Sequence, residues 1–208
     1  MHSSSTLIAH EAAPAKTQDG KSQHPVWKTS ILFTIVMTVV VGLGYPLVVT
    51  GIAELVFPKQ ANGSLILKNG QVIGSRLLAQ SFTEDKYFHP RPSAGGYDAT
   101  NSGGSTLAQT NAKLIARIQG DVDALQKQNP GKPVPIDLVT QSGSGLDPDI
   151  TPDDANYQAP RVAKARGLTL DAVRQLIAQH TTGRELGFLG EPRVNVLELN
   201  LALDGISK

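Results

Sequence analysis

The sequence predicts an α+β domain that is preceded by a single transmembrane helix. Three observations support this fold class. One long apolar segment lies near the amino terminus, a hairpin-like segment follows it, and helical periodicities then alternate with short strand-like runs. The expected parts are a disordered polar tail over residues 1–28, a membrane anchor over residues 29–57 and a soluble α+β domain over residues 58–208.

Residues 31–53, ILFTIVMTVVVGLGYPLVVTGIA, contain no charged side chain. As a helix that rises about 1.5 Å per residue, this segment reaches about 35 Å, which is enough to cross a hydrocarbon core of about 30 Å. A cleavable signal peptide is the alternative, with Gly51-Ile52-Ala53 as its cleavage site. Because the apolar core of such a peptide is usually only about 7 to 15 residues long, the sequence favours an uncleaved anchor.

Gly44, Pro46 and Gly51 are the candidate residues for helix packing in the membrane. Gly44 and Gly51 are seven residues apart and share a helix face, where glycine lets a neighbouring helix approach closely. Pro46 leaves one backbone carbonyl without its usual donor, and a packed partner helps to satisfy such a group. These residues fit contact with another membrane subunit and an anchor without partners equally well.

The positive charges on the two sides of the span do not fix its orientation. Three cations lie on each side at similar distances, namely Lys16, Lys21 and Lys28 before it and Lys59, Lys68 and Arg76 after it. Lys28 directly precedes the span and Glu54 lies at its far end, which favours a cytoplasmic amino terminus. We therefore expect the large domain to be periplasmic or otherwise extracytoplasmic.

The composition excludes several classes of function. There are no cysteines, so disulfides and thiolate metal sites are excluded, and the formal net charge of +1 gives no reason to expect nucleic acid as a partner. The loop from Ser142 to Gly145 lacks the G-x-S-x-G spacing of a nucleophilic serine. A calcium-type loop beginning at Asp147 has proline and glutamine where glycine and glutamate are needed. We expect neither a catalytic set nor a metal site.

The first half of the soluble domain contains three predicted elements. Two apolar runs joined by Asn69-Gly70 predict a β-hairpin within residues 62–75, because Asn-Gly readily adopts the positive φ angles of a tight turn. Apolar residues at spacings of three, four and seven predict an amphipathic helix over residues 105–129. Residues 133–139 predict a short strand.

The second half predicts helices followed by a closing strand. Thr151 is a helix cap with proline and acidic residues in the first turn after it, and Pro160 predicts a kink or a second helix over residues 161–166 that ends at Gly167. Thr169 caps a further helix over residues 170–179. Alternating apolar residues between Val194 and Leu203 predict the last strand.

Ser102, Gly103, Gly104 and Ser105 form the candidate ligand-binding loop. Glycines directly before a helix expose backbone N–H groups, and the amino end of a helix attracts anions such as phosphate. The simpler interpretation, which we favour, is that Ser105 caps the helix and the glycines form its approach.

A set of short segments follows in order from the span to the carboxyl end. The set includes Tyr45-Pro46-Leu47, Phe57-Pro58, Gln80-Ser81-Phe82, residues 87–94, residues 102–105, residues 142–147, residues 161–166 and residues 190–197. Together they resemble the KdpC family, the small C subunit of the bacterial ATP-driven potassium pump. Thr106 departs from the asparagine common in the family, and the polar amino-terminal extension is longer than usual.

This resemblance implies a single-pass, non-catalytic accessory subunit of an inner-membrane pump for high-affinity potassium uptake. The implied partners are the lipid bilayer, a potassium-binding, channel-like A subunit, a P-type ATPase B subunit and a small F subunit. The family is described as assembling or stabilising the complex, and as a catalytic chaperone that raises the affinity of the ATPase for ATP. No cofactor is expected to be firmly bound, and ATP contact would involve the loop from Ser102 to Ser105. The alternative is a nucleotide-contacting regulator or membrane-anchored enzyme on the cytosolic side.

Overall fold

The computed structural model describes residues 25–205. The chain divides into two compact units, Met1–Ala53 and Glu54–Lys208, each of which is described by itself. Most of the predicted polar tail over residues 1–28 lies outside the described residues.

One helix, Val26–Val56, is long and apolar enough to cross a membrane. It consists of α1 (Val26–Met37), a π-helical segment (Thr38–Gly44) and α2 (Tyr45–Val56), and no residue of these three segments is buried. The Tyr45 amide donates to the Val40 carbonyl five residues earlier. This widened turn directly precedes Pro46, which has no N–H to continue the ordinary pattern. The predicted apolar helix is confirmed.

The predicted hairpin is also present. A short helix α3 (Pro58–Ala61) leads into strands β1 (Leu65–Lys68) and β2 (Gln71–Ser75), which pair antiparallel. Asn69 and Gly70 connect them with φ angles of 53° and 78°, as the Asn-Gly pair predicts.

Helix α4 (Ala112–Gln128) begins seven residues later than predicted. The Asn111 side chain caps it by accepting a hydrogen bond from the Lys113 amide at 2.9 Å. Thr106 has a φ of 54°, a left-handed conformation that a right-handed helix cannot contain, so the predicted start at Ser105 is wrong.

The strand predicted over residues 133–139 is wrong as well, because a 3-10 turn, Ile136–Leu138, occupies this place. Pro133 and Pro135 have no N–H to donate to a neighbouring strand, which disfavours a ladder here.

Strand β3 (Asp149–Ile150) leads into α5 (Pro152–Arg166), which Thr151 caps. Helix α5 continues through Pro160 as one helix and ends at Gly167 with a φ of 63°. The start and end are therefore confirmed. Of the two alternatives at Pro160, a kink or a second helix, the second helix is not formed. Helix α6 (Leu170–Gln179) follows with the predicted cap, Thr169.

The carboxyl end differs most from the prediction. Strands β4 (Thr181–Thr182) and β5 (Arg193–Asn195) form an antiparallel sheet with β3 in the order β3-β5-β4. The chain then continues as helix α7 (Val196–Leu203) instead of a strand, because the Asn195 side chain caps it by accepting from the Glu198 amide at 3.1 Å.

The core of the second unit lies between α5, α6, α7 and β5. Its buried members are mostly small and branched side chains: Phe88, Ile150, Ala155, Ala159, Val162, Ala163, Val173, Ile177, Val194, Val196 and Leu199. Since helices and a small sheet share this core, the α+β class is confirmed.

Candidate functional site

The structure brings the candidate loop, Ser102–Ser105, against the second glycine- and serine-rich loop, Ser142–Gly145. The Gly103 amide donates to the Ser144 carbonyl at 2.8 Å, and the Ser102 hydroxyl donates to the same oxygen at 3.1 Å. Gly145 has a φ of 68°, and a Cβ on it would lie 2.8 Å from the Gly103 carbonyl. Only glycine therefore permits this close approach of the two loops.

Ser105 does not cap a helix, because α4 begins at Ala112. The amides of Gly104 and Ser105 donate to no oxygen among residues 25–205. These two free donors have the chemistry to meet an anion. A methyl group on Gly104 would lie 3.3 Å from the Gly143 carbonyl, so the loops are tightly packed at this point.

A charged cluster adjoins these loops. Arg91 places Nη1 3.1 Å from Oδ2 of Asp147 and Nη2 3.7 Å from Oδ1 of Asp137. The Tyr97 hydroxyl donates to the Arg91 carbonyl at 2.9 Å. Asp147, the first residue of the rejected calcium-type loop, thus pairs with an arginine. Among residues 25–205 no group of three or more His, Cys, Asp or Glu side chains has the arrangement to hold a metal ion.

Asp154 is the unusual member of this region. It is fully buried in the first turn of α5, and neither of its carboxylate oxygens has a hydrogen-bond partner within the described residues. Burial, reinforced by the negative charge of Asp137, raises the pKa of Asp154 to about 7. The side chains of Thr151 and Arg91 oppose this shift. The sequence identified Asp154 only as a first-turn acid; its burial depends on packing that no local pattern reveals.

An exposed apolar loop, residues 184–191, was missed by the sequence analysis. Leu186, Phe188 and Leu189 have exposed fractions of 82%, 68% and 49%. Two ion pairs frame this apolar loop: Arg184 with Glu191 at 2.6 Å and Arg193 with Glu185 at 3.0 Å. Leu186 has a φ of 52°, an unfavourable conformation for a γ-branched side chain. The Leu-Gly-Phe-Leu run between two glutamates was the available signal.

The three predicted packing residues lie at the end of the π-helical segment and within α2. Gly44 ends the π segment, Pro46 is in the first turn of α2, and Gly51 has open space around the position of a Cβ. All three are exposed within the chain.

Comparisons with known proteins match this chain to one family. The family model "KdpC: K+-transporting ATPase, c chain" matches residues 27–205. A potassium-transporting ATPase KdpC subunit of Koribacter versatilis is 57% identical over 179 residues, which are 85% of this chain and 93% of that protein. The KdpC subunit of Acidobacterium capsulatum is 60% identical over 179 residues, 85% of this chain and 96% of that protein. The KdpC subunit of Rhodopseudomonas palustris is 54% identical over 191 residues, which cover 85% of this chain and 96% of that protein. From the apolar helix to the end of the described residues, the chain therefore belongs to the KdpC family.

Proposed function

We propose that this chain is an accessory subunit of an ATP-driven potassium uptake pump, and that the complex needs it for assembly and stability. The relatives are named as subunits of a potassium-transporting ATPase, which supports membership of such a complex. The observation that carries the accessory role is the exposure of two apolar surfaces, the helix Val26–Val56 and the apolar loop. The lipid bilayer covers most of the first surface, and a protein partner covers the second.

The apolar loop has the properties of a protein–protein interface. A leucine at positive φ costs about 1 kcal/mol or more, so an exposed one is retained only where the surroundings or a partner offset it. The cations that frame the loop are each paired with a carboxylate, which leaves its tip electrically neutral. Large apolar side chains within such a rim are typical of interface hot spots.

The expected partners follow from family membership. We assign the apolar loop to the extracytoplasmic surface of the potassium-binding A subunit, and Gly44 and Gly51 to close contacts with membrane helices of the complex. The B subunit supplies the ATPase chemistry. In this proposal the protein lies in the bacterial inner membrane with a cytoplasmic amino terminus.

Substitution of the apolar loop within the whole pump tests this proposal. Leu186→Ser combined with Phe188→Ser should reduce recovery of the intact complex in mild detergent by about tenfold or more, because two buried anchors of about 1 to 2 kcal/mol each are lost. Ile136→Ser is the matched control, since Ile136 is 74% exposed but lies in the 3-10 turn, and it should leave recovery unchanged. Full recovery of an active pump without this chain would overturn the accessory role.

A second candidate function is direct contact with ATP, and the free amides of Gly104 and Ser105 favour it. If the domain is extracytoplasmic, however, an effect on the ATP affinity of the B subunit has to pass through the transmembrane helices as a coupling of conformational states. We favour that indirect route.

Two measurements separate the direct route from the indirect one. Protease treatment of sealed inverted and right-side-out vesicles locates the domain. Photolabelling of the full-length chain with an ATP analogue should give no label that depends on the loop. Labelling that Gly104→Ala removes and Ala108→Gly retains, together with a cytosolic domain, would establish the nucleotide-contacting alternative.

A further inference from the structure

A groove of about 580 Å³ lies between the hairpin and helix α7. Its apolar lining includes Leu65, Leu67 and Leu201, and its polar lining includes Lys59, Arg76 and His180. The groove therefore combines an apolar floor with a cationic rim, which is the pattern that an amphiphile with an anionic end requires.

The cationic groups of the rim have free donors. Lys59 has no carboxylate within 4.0 Å among residues 25–205, and Nε of Arg76 lies 3.2 Å from Oε1 of Glu198. The Arg76 side chain remains 52% exposed, with both terminal nitrogens unengaged in the described part of the chain. His180 donates from Nδ1 to the Leu176 carbonyl at 3.0 Å, which leaves Nε2 available. The rim thus offers more donors than Glu198 can occupy.

Covalent geometry places Lys59 near the membrane surface. The helix Val26–Val56 has 31 residues and is therefore about 46 Å long, so it extends beyond a hydrocarbon core of about 30 Å into the headgroup layer. Lys59 follows Val56 by three residues, and three residues span at most about 11 Å. The cationic rim consequently begins within reach of lipid phosphates.

We propose that this groove binds the headgroup phosphate of one anionic phospholipid, with the first carbons of its acyl chains against Leu67 and Leu201. Lys59 and Arg76 provide charge-assisted hydrogen bonds to the phosphate oxygens. The apolar floor distinguishes a lipid from free inorganic phosphate, which has no part to place there. This site is separate from the apolar loop and depends only on the helix crossing a bilayer.

The test uses the full-length chain purified without pump subunits, so that it is independent of pump assembly. The chain is delipidated in mild detergent, and the lipids that remain bound are counted by native mass spectrometry after titration with phosphatidylglycerol or phosphatidylcholine. We expect one phosphatidylglycerol to bind at least about fivefold more tightly than phosphatidylcholine. Lys59→Gln should weaken it about fivefold, since a lysine near a membrane surface contributes about 1 kcal/mol.

Lys68→Gln is the matched control, because Lys68 is an exposed lysine at the end of β1 that does not line the groove. It should change phosphatidylglycerol binding less than twofold. Equal losses from both variants would show diffuse electrostatic attraction and overturn the site. Complete displacement of the lipid by millimolar inorganic phosphate would show an anion site without lipid selectivity, which also overturns the proposal.

Discussion

Helix α5 borders two regions of the domain that differ in how far their buried polar groups are hydrogen-bonded. In the core region, around Phe88, two buried amide side chains each form a pair of hydrogen bonds with the backbone of a single residue. Asn200 accepts from the Phe88 amide at 2.8 Å and donates to its carbonyl at 2.9 Å. Gln158 forms the same pair with His89, at 2.8 and 3.0 Å. Four hydrogen bonds thereby hold the irregular segment that contains Phe88 and His89.

The α4 region, which comprises α4 and residues 130–147 with the adjoining Asp154, is built differently. Helix α4 contributes no buried residue. Residues 130–147 add only three buried apolar side chains, against the eleven buried members of the core. The side-chain atoms buried there without a hydrogen-bond partner in the described chain are Nε of Arg117, Oε1 of Gln141 and both carboxylate oxygens of Asp154. Nε of Arg91, whose guanidinium pairs with two carboxylates of this region, is also buried without a partner. Because several buried groups in this region are also unsatisfied, it should open at a lower free energy than the core region.

Removing an amide from the core region should have the largest effect. Asn200→Ala leaves the Phe88 amide and carbonyl buried without partners, at about 1 to 3 kcal/mol each, so we expect a loss of about 4 kcal/mol in the free energy of unfolding. Urea unfolding of the full chain in mild detergent measures it. Asn156→Ala is the control, since Asn156 is exposed on the same domain and should change stability by less than about 0.5 kcal/mol. If Asn200→Ala lowered the free energy of unfolding by less than about 1 kcal/mol, the hydrogen bonds of the core region would not make it more stable than the α4 region.

The opposite sign is expected for Asp154→Asn. The pKa of this carboxyl is about 7 in the folded chain against a reference value of 3.8, so both states are neutral below about pH 4 and only the folded state resists ionisation above it. Stability that is present in acid is lost as the pH rises towards 7. The shift of about three units corresponds to about 4 kcal/mol at most, and because the new amide also lacks partners we expect a gain of about 2 kcal/mol at pH 8.

The measurement for Asp154→Asn is the difference from wild type in urea unfolding at pH 8 and at pH 4. The gain should nearly disappear at pH 4. Asp153→Asn, one residue earlier and exposed, controls for the helix dipole and should show no comparable gain at pH 8. Equal differences at both pH values would mean that folding does not raise the pKa of Asp154.

The same contrast explains which elements the sequence could predict. The hairpin and the helices α5 and α6 depend on local signals, such as Asn69-Gly70, Thr151 and Thr169, and these were identified correctly. Helix α7 was predicted as a strand because Val194, Val196 and Leu199 partly fit alternation. The Asn-x-x-Glu pattern that begins at Asn195 was the competing helix signal.

Sites that depend on long-range packing were not predictable in this way. The contact between the two glycine-rich loops joins residues about forty positions apart in the sequence. The hydrogen bonds between Asn200 and Phe88 join residues 112 positions apart. No periodicity or spacing relates such positions. The three candidate residues in the membrane helix stay predictions, because only a bound partner can test them.

Gly74→Ala probes how tightly the core region is filled at its border with the hairpin. A Cβ on Gly74 would lie 2.7 Å from Cδ2 of Leu197 and would also collide with the Gln80 side chain. Leu197 is buried in α7, so the collision cannot be relieved without repacking. We expect a loss of about 2 kcal/mol in the free energy of unfolding, in the range of about 1 to 3 kcal/mol for overpacked sites. An unchanged urea midpoint would show that the hairpin is not fixed against α7.

Gly120→Ala is the corresponding change in the α4 region and should have the smallest effect, with the opposite sign. Gly120 lies inside α4, and no heavy atom beyond the helix's own backbone lies within 4 Å of the position of its Cβ. Alanine therefore lowers the entropy of the unfolded chain and favours the helix without a collision, so we expect a gain of about 0.5 to 1 kcal/mol. The measurement is native-state hydrogen exchange of the α4 amides compared with those of α5. Since this change acts on the less stable region, protection should rise in α4 alone; a parallel rise in α5 would mean that the two regions unfold as one unit.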